Sequence, residues 1–563
     1  MPAADYRIGS EPTPAQALLR FAAEFPDAPA LRFSTGEGTW TQLSYRELVE
    51  AVTGVAVRLR GIREGRHGGR FVLVALPSGL GYVTSVYACL LAGVTAVPFY
   101  PPARSTRRAA EVFDGRLAEI LRDCDPAAVI GTAEVLDRLP ADPARLLIEG
   151  GEQAPAPGPA TLDWALPAAA GPALLQYTSG STARPKGVLV SHQNLMHNVS
   201  GIAAGLGSAP GESLTTWLPL FHDMGLIGTV LHPIAAGMTV HLLPPAAFLR
   251  RPASWLETVA RTGSTITMAP DFAYALAARR AADPGPALAG LRHAVIAAEP
   301  IRPATIRAFR QAFEPFGLHP QALTPGYGLA ENTLCVSSTG RQGAAEVRLP
   351  SGRLVIGCGR EPIPGSRVAI VDPATGRRCP DGTEGEIWVS GPSVAGGYWR
   401  QPAETEAVFR ARLAGDPADW LRTGDYGVLT GSALCITGRL KDVVMLNGAT
   451  VHLHDLEQTA QSSHPALRPG GNAAFAVPGT ERVVLLQELA EPVDDLELVM
   501  SRIRRAIAEE HGLALAAVAL LPRGTVPHTT SGKVRRRACG EQWLAGDFIP
   551  IAQWINELWE VPV

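Results

Sequence analysis

At about 150 residues per domain, a chain of 563 residues allows two to four domains and several separate cores. Hydrophobic residues make up 46% and charged residues 18%, which excludes wholesale disorder. With 50 Lys and Arg against 53 Asp and Glu the net charge is −3, so no global basic field exists to hold nucleic acid or an anionic membrane, and any phosphate binding must be local.

The opening MPAADYRIGSEPTP carries Asp5 and Glu11 and no apolar run, unlike a secretory signal. Seven dispersed cysteines without a CxxC pair argue against a disulfide framework or a zinc ribbon and for a reducing cytoplasm. Two charge-free stretches, Phe71 to Ala103 and Met224 to Leu249, are long enough to span a bilayer but are broken by several Gly and Pro. The first reads as strand (FVLVALP), helix (GLGYVTSVYACLLAG) and strand (TAVPF), and both stretches are assigned to a protein core rather than a membrane.

In chain order, RFVLVAL, AAVIGT, ALLQYTSG, MTVHLLP, STITMAP and LRHAVIAAE read as buried strands. Helical patterns over Tyr45 to Leu59, Ala109 to Arg122, Ser254 to Arg261 and Pro303 to Phe316 lie between them. The alternation predicts an α/β fold with largely parallel sheets. Gly151 to Pro172, rich in Pro and Ala, reads as a flexible connector. From Leu354 the texture changes to short strands (RVAIVDP, GEIWVSG, ALCITGR), a β-rich subdomain. After Asn447 and Gly448, the AFAVPG and VVLLQELA segments read as helical stretches of a separate C-terminal domain.

The most informative segment is LQYTSGSTARPKGVLVSH, Leu175 to His192. Strand-like LLQY runs into Thr178, Ser179, Gly180, Ser181 and Thr182, followed by Lys186 and Gly187. Small residues let backbone N–H and hydroxyl donors close around phosphate oxygens, and the lysine adds a compact positive charge. Pro185 stands before Lys186 where a Walker loop has Gly.

Together with this loop, six further strings occur in order: WLPLFHDMGLIG (Trp217 to Gly228), AAEPIRP (Ala297 to Pro303), GYGLAENTL (Gly326 to Leu334), WLRTGDYG (Trp420 to Gly427), ITGRLKDVVMLNG (Ile436 to Gly448) and TTSGKVRRR (Thr529 to Arg537). On these the chain resembles the adenylate-forming superfamily of acyl-CoA ligases, luciferases and peptide-synthetase adenylation domains over nearly its whole length. FHDMGLIG, GPSVAGGYW (Gly391 to Trp399), GRLKD, and Ala183-Arg184 in place of a loop Gly make it more similar to fatty acyl-AMP ligases. The stretch Arg400 to Asp419 looks longer than its CoA-ligase equivalent, where those ligases carry an insertion thought to restrict the domain motion needed for free CoA. ATVHLHDLE (Ala449 to Glu457) departs from the family's RNHYPQDIE, on a loop facing the acceptor side.

The resemblance implies an N-terminal adenylation domain (1–437) of α/β subdomains plus a β-rich one, a hinge (438–442) and a mobile α+β C-terminal domain (443–563). It implies ATP and Mg2+ as cofactors. The substrate would be a medium- or long-chain fatty acid, passed as acyl-AMP to the phosphopantetheine thiol of an acyl carrier protein. An acyl-CoA ligase is the alternative, followed by an amino- or aryl-acid-activating enzyme, although FHDM places its Asp one position later than an amino-acid site does. Thr178 to Lys186 would hold pyrophosphate, with Glu331, and Thr178 as a further candidate, at Mg2+. Tyr327, beside Gly328, would stack on adenine, and Ala298, Glu299 and Pro300 would border the nucleotide. Asp425 and Arg439 would meet the ribose, and Lys441 would be the hinge residue. Lys533 would bridge the carboxylate and the α-phosphate. His222, Met224 and Gly225 would line the acyl site, with His222 gating it or simply packed at a strand end.

Arg535, Arg536 and Arg537 lack interleaved aromatics, which with the acidic balance argues against nucleic acid. His452 and His454 are two apart, on one strand face if extended, without an evident third ligand for zinc.

Overall fold

The FVLVA run forms the strand Phe71–Ala75 with all five residues buried, as a strand covered on both faces must be. In the computed structural model this strand lies within a six-stranded sheet, paired in parallel with Thr95–Phe99 on one side and Ala128–Gly131 on the other. Described are residues 11–556 except 37, 63–67, 103–106, 143–144, 151–165, 179–184, 282–284, 351, 432, 447–448, 478–479, 481 and 529–533. Most of the expected connector falls outside them, and the strand after it runs over Pro172–Thr178.

These residues form two compact units. The first takes in the described parts of Met1–Thr178, Arg184–Thr423 and Gly427–Ile436; the second takes in Gly424–Tyr426 and the described parts of Thr437–Val563.

The first unit holds two large sheets. The six-stranded one is parallel until its last strand, Lys186–Ser191, which returns antiparallel to Pro172–Thr178. The eight-stranded one has a parallel centre and antiparallel edge strands, Thr39–Ser44 and Cys335–Ser338. The helix Leu80–Ala92 is buried along twelve of its thirteen residues, which accounts for its lack of charge. Among the described residues no helix is long and apolar enough to cross a membrane. Ser44 and Ser191 open the helices Tyr45–Leu59 and His192–Leu206 through capping boxes with Glu47 and Asn194. The β-rich part is built around Arg367–Asp372, Gly385–Ser390 and Asp419–Leu429.

In the second unit the sequence expectation fails at two elements. Ala474, Phe475 and Ala476 of AFAVPG end the strand Leu467–Ala476, and VVLLQEL forms the strand Val483–Leu489; both strands belong to a four-stranded sheet. Val483–Leu489 is buried at every position between an antiparallel and a parallel neighbour, and such a short apolar run carries no periodicity to separate strand from helix. The helices Leu453–Ser462 and Leu496–His511 pack their apolar faces onto this sheet.

Candidate functional site

The antiparallel pairing of Pro172–Thr178 with Lys186–Ser191 sets Thr178 directly opposite Lys186. The two described residues that flank the hydroxyl-rich turn are therefore neighbours across the ladder. Ser179, Gly180, Ser181 and Thr182 themselves lie outside the described residues. Gly187 packs closely, a Cβ there standing 2.9 Å from Leu175 Cδ1.

A third segment joins this hairpin. Residues of GPSVAGGYW run antiparallel to it: Leu189 N–H donates to the Gly397 carbonyl (3.0 Å), and Trp399 N–H to that of Gly187 (2.8 Å). The helix His192–Leu206 grips the same segment, with Asn194 Nδ2 donating to the Pro392 and Val394 carbonyls at 2.7 and 3.0 Å. Tyr398 is thereby set beside Lys186, whose Nζ lies 5.0 Å from the ring centroid, a cation–π arrangement. Lys186 also forms an ion pair with Glu404, on the helix Pro402–Phe409. The Tyr398 hydroxyl donates to Glu331 Oε1 at 2.8 Å. Glu331 sits in the turn Ala330–Asn332, and its carbonyl accepts from Ala395 N–H at 2.9 Å.

This arrangement brings together Thr178 and Lys186 of one string with Glu331 of another. It adds Tyr398 and Glu404, which sequence reasoning missed. The GGYW string marked the place of Tyr398 without giving it a role; Glu404, one acid among several on an exposed stretch, carried no signal.

Tyr327 and Gly328 end the strand Leu323–Gly328, where Tyr327 is buried. A Cβ on Gly328 would meet the Leu334 carbonyl oxygen at 1.9 Å, so the turn toward Glu331 needs glycine. The turn is tied from behind by Asn198, whose Nδ2 donates to the Cys335 carbonyl (2.8 Å) while its Oδ1 accepts from Cys335 N–H (3.0 Å).

AAEPIRP follows the strand His293–Ala297. Ala298 has φ +71, a conformation that L-residues with a side chain rarely hold and that clusters at functional sites. Glu299 Oε1 accepts from Phe272 N–H at 2.6 Å, and Pro300 is exposed. Asp271, 1% exposed, anchors the far end by accepting from Arg302 N–H (3.0 Å), Arg302 Nε (2.6 Å) and the Thr305 hydroxyl (3.0 Å). Burial pushes its carboxyl up despite the Arg302 charge.

His222 does not sit at a strand end. The strand Ser213–Thr216 stops six residues earlier, and His222 occupies a bend leading into a π-helix, Met224–Leu231. π-turns of this kind recur at functional sites. The His222 ring lies 4.6 Å from that of Phe221, and the Phe221 carbonyl accepts from Gln176 Nε2 at 2.9 Å, linking this bend to the strand that carries Thr178. Asp223 Oδ1 accepts from Met224 N–H at 2.7 Å. Gly225 packs so closely that a Cβ would stand 2.2 Å from the Pro219 carbonyl oxygen. Met224 joins an apolar cluster with Trp217, Leu218 and Met268.

In the second unit, Asp425 and Arg439 form an ion pair, Nε to Oδ1 3.1 Å. Gly424 supplies the turn before Asp425 with φ +68. Lys441 lies in the single turn Leu440–Asp442. Arg536 pairs with Asp442 (2.8 Å) and Glu457 (2.6 Å), and Arg537 with Glu541 (2.7 Å), so these arginines serve internal ion pairs. Lys533 lies outside the described residues. His452 ends the strand Ala449–His452 whereas His454 is already in the helix Leu453–Ser462, so the two do not share a strand face. No group of three His, Cys, Asp or Glu suited to a metal occurs among the described residues.

Residues 18–399 match the family described as AMP-binding enzyme, and residues 441–553 match the AMP domain described as Disco-interacting protein 2-like. The chain is 36% identical to the medium-chain-fatty-acid–[acyl-carrier-protein] ligase JamA of Moorena producens, with 95% of each chain covered. It is 37% identical to the long-chain-fatty-acid–AMP ligase FadD26 of Mycobacterium marinum, covering 91% of this chain and 92% of the relative. Among solved structures, a fatty acyl-adenylate ligase from work on the E. coli and L. pneumophila enzymes superposes with TM-score 0.83 at 27% identity, over 96% of this chain and 99% of the other.

Proposed function

This chain belongs to the AMP-binding enzyme family and, within it, to the fatty acyl-AMP ligases, and we propose how its residues carry out that chemistry. A fatty carboxylate attacks the α-phosphorus of ATP, forming the acyl–phosphate bond as pyrophosphate leaves. The phosphopantetheine thiol of an acyl carrier protein then attacks the acyl carbonyl, forming a thioester as AMP leaves and the thiol proton passes to solvent. The observation that carries the reading is the meeting of Lys186, Tyr398 and Glu331 beside the two ends of the hydroxyl-rich turn.

Charge on the phosphate oxygens must be held in place as the bond to pyrophosphate breaks, so the protein's task is positioning and electrostatic stabilisation. Residues 178–182 offer hydroxyl and N–H donors and Lys186 a cation to the leaving pyrophosphate. Glu331, with the Thr178 hydroxyl, supplies the hard oxygen donors that suit Mg2+; bound there, the ion would neutralise phosphate charge. Tyr327 stacks on adenine and residues 298–300 border it. Asp425 accepts from the ribose hydroxyls and Arg439 orients Asp425. Lys533 draws carboxylate and α-phosphate together against their mutual repulsion. His222, Met224 and Gly225 line the acyl entrance. Residues 438–442, centred on Lys441, form the hinge between a 1–437 domain and a mobile 443–563 domain, and the protein works in the cytoplasm.

The decisive experiment incubates the protein with ATP, Mg2+ and fatty acids of graded length, adding either CoA or phosphopantetheinylated carrier protein. Acyl-AMP that accumulates with CoA and is consumed by carrier protein is the expected result; rapid acyl-CoA formation overturns the proposed acceptor. Lys533→Ala should nearly abolish acyl-AMP while ATP still binds, and near-normal adenylation in that variant removes Lys533 from the mechanism.

A further inference from the structure

The ion pair between Lys186 and Glu404 ties the phosphate-binding lysine to an element outside the hydroxyl-rich turn. Glu404 lies in the first turn of Pro402–Phe409, where a carboxylate is favoured by the helix dipole. The start of this helix is fixed twice, once to the residue just before the hairpin's second strand and once to the neighbouring Tyr398 segment. Gln401 Nε2 donates to the Pro185 carbonyl at 3.1 Å, and Tyr398 N–H donates to Thr405 Oγ1 at 2.9 Å. The carboxylate is thus held where the lysine can reach it, while its side chain stays 44% exposed and that of Lys186 20%.

We propose that Glu404 is a positioning residue that competes with pyrophosphate for Lys186: it holds the ammonium when no polyphosphate is bound and takes it back as pyrophosphate departs. The inference rests on the reading of Lys186 as a phosphate ligand given above. The strength of the pair suits the role. A half-exposed carboxylate–ammonium pair is weak enough for a multiply charged anion to displace. A lysine on a flexible stem can swing between two anions without moving the backbone. Glu404 touches no reacting atom; it acts by setting how tightly Lys186 grips the leaving group.

The test measures acyl-AMP formation at increasing pyrophosphate, and the KM for ATP, in wild type, Glu404→Gln, Glu404→Asp, Lys186→Met and the Lys186→Met/Glu404→Gln double variant. Glu404→Gln should bind pyrophosphate about two- to fivefold more tightly, the range set by partly exposed ion pairs. Glu404→Asp, which keeps the charge, should return toward wild type. Lys186→Met should weaken pyrophosphate binding about tenfold or more, and in that background Glu404→Gln should change nothing. Unchanged or weaker pyrophosphate binding in Glu404→Gln, alongside the loss in Lys186→Met, overturns the role of Glu404 alone. So does a Glu404→Gln effect that survives the loss of the lysine. If Lys186→Met leaves pyrophosphate and ATP binding intact, the phosphate role of Lys186 itself falls and the inference falls with it. Glu404 is partly exposed, and equal unfolding midpoints for Glu404→Gln and wild type confirm that the comparison reads binding and not misfolding.

Discussion

Tyr398 and Glu331, 67 residues apart, are joined phenol to carboxylate at 2.8 Å, and the same phenol ring carries the Lys186 ammonium 5.0 Å from its centroid. One aromatic side chain therefore contacts both the carboxylate proposed for Mg2+ and the cation proposed for pyrophosphate. Removing the hydroxyl takes a donor from a carboxylate, a loss of about 1.5–3 kcal/mol where the acceptor is charged. Tyr398→Phe should then need about tenfold more Mg2+ for half-maximal acyl-AMP formation. Titrating MgCl2 at saturating ATP checks this, and an unchanged half-saturation point would detach Tyr398 from the metal.

Gly225→Ala should lower stability by about 1–3 kcal/mol, the usual cost of overpacking. Its Cβ would sit 2.2 Å from a backbone oxygen of Pro219, which cannot move aside as a side-chain tip can. Urea unfolding reads the loss, and because the displaced bend carries His222, the KM for fatty acid should rise in the same variant.

Ala298→Gly should make the protein about 0.5–1 kcal/mol more stable. The left-handed backbone costs an L-residue about 1–2 kcal/mol, part of which is offset by the greater freedom of glycine in the unfolded chain. Thermal unfolding gives the sign directly. A fall in activity alongside the rise in stability would mark the strained backbone as a fixed border of the nucleotide site.

Four histidines, His192, His232, His241 and His293, are nearly or wholly buried, and burial lowers each ring to about 4 from 6.5. His232 also meets Ser208 Oγ through Nε2 at 2.9 Å. Unfolded, each takes up a proton below pH 6.5; folded, each resists until about 4. The stability they contribute is present above pH 6.5 and lost as pH falls toward 4. The slope is up to about 1.4 kcal/mol per pH unit for each ring. Urea midpoints across this window should fall steadily, and the four ring resonances should not titrate between pH 5.5 and 8.

How much of this was legible beforehand depended on the reach of each interaction. The strand around Phe71, the helix Tyr45–Leu59 and the strings bearing Lys186, Glu331 and Asp425 are written locally, in runs of apolar residues, caps and small-residue turns. Val483–Leu489 is not: its identity as a strand comes from neighbours on both sides that an isolated VVLLQEL does not announce. The bend at His222 was misplaced for a related reason, since the π-helix after it depends on Gly225 fitting against Pro219. Glu404 lies 218 residues from Lys186, and no spacing rule couples positions so far apart.

The grip of Arg536 on both Asp442 and Glu457 has a mechanical consequence. One guanidinium rivets the end of the Leu440–Asp442 turn to the helix Leu453–Ser462 and to the helix Arg536–Leu544 that follows the tail lysine's segment. Three elements far apart in the sequence are thus pinned at a single cation, so loosening any one of them exposes the charges of the other two.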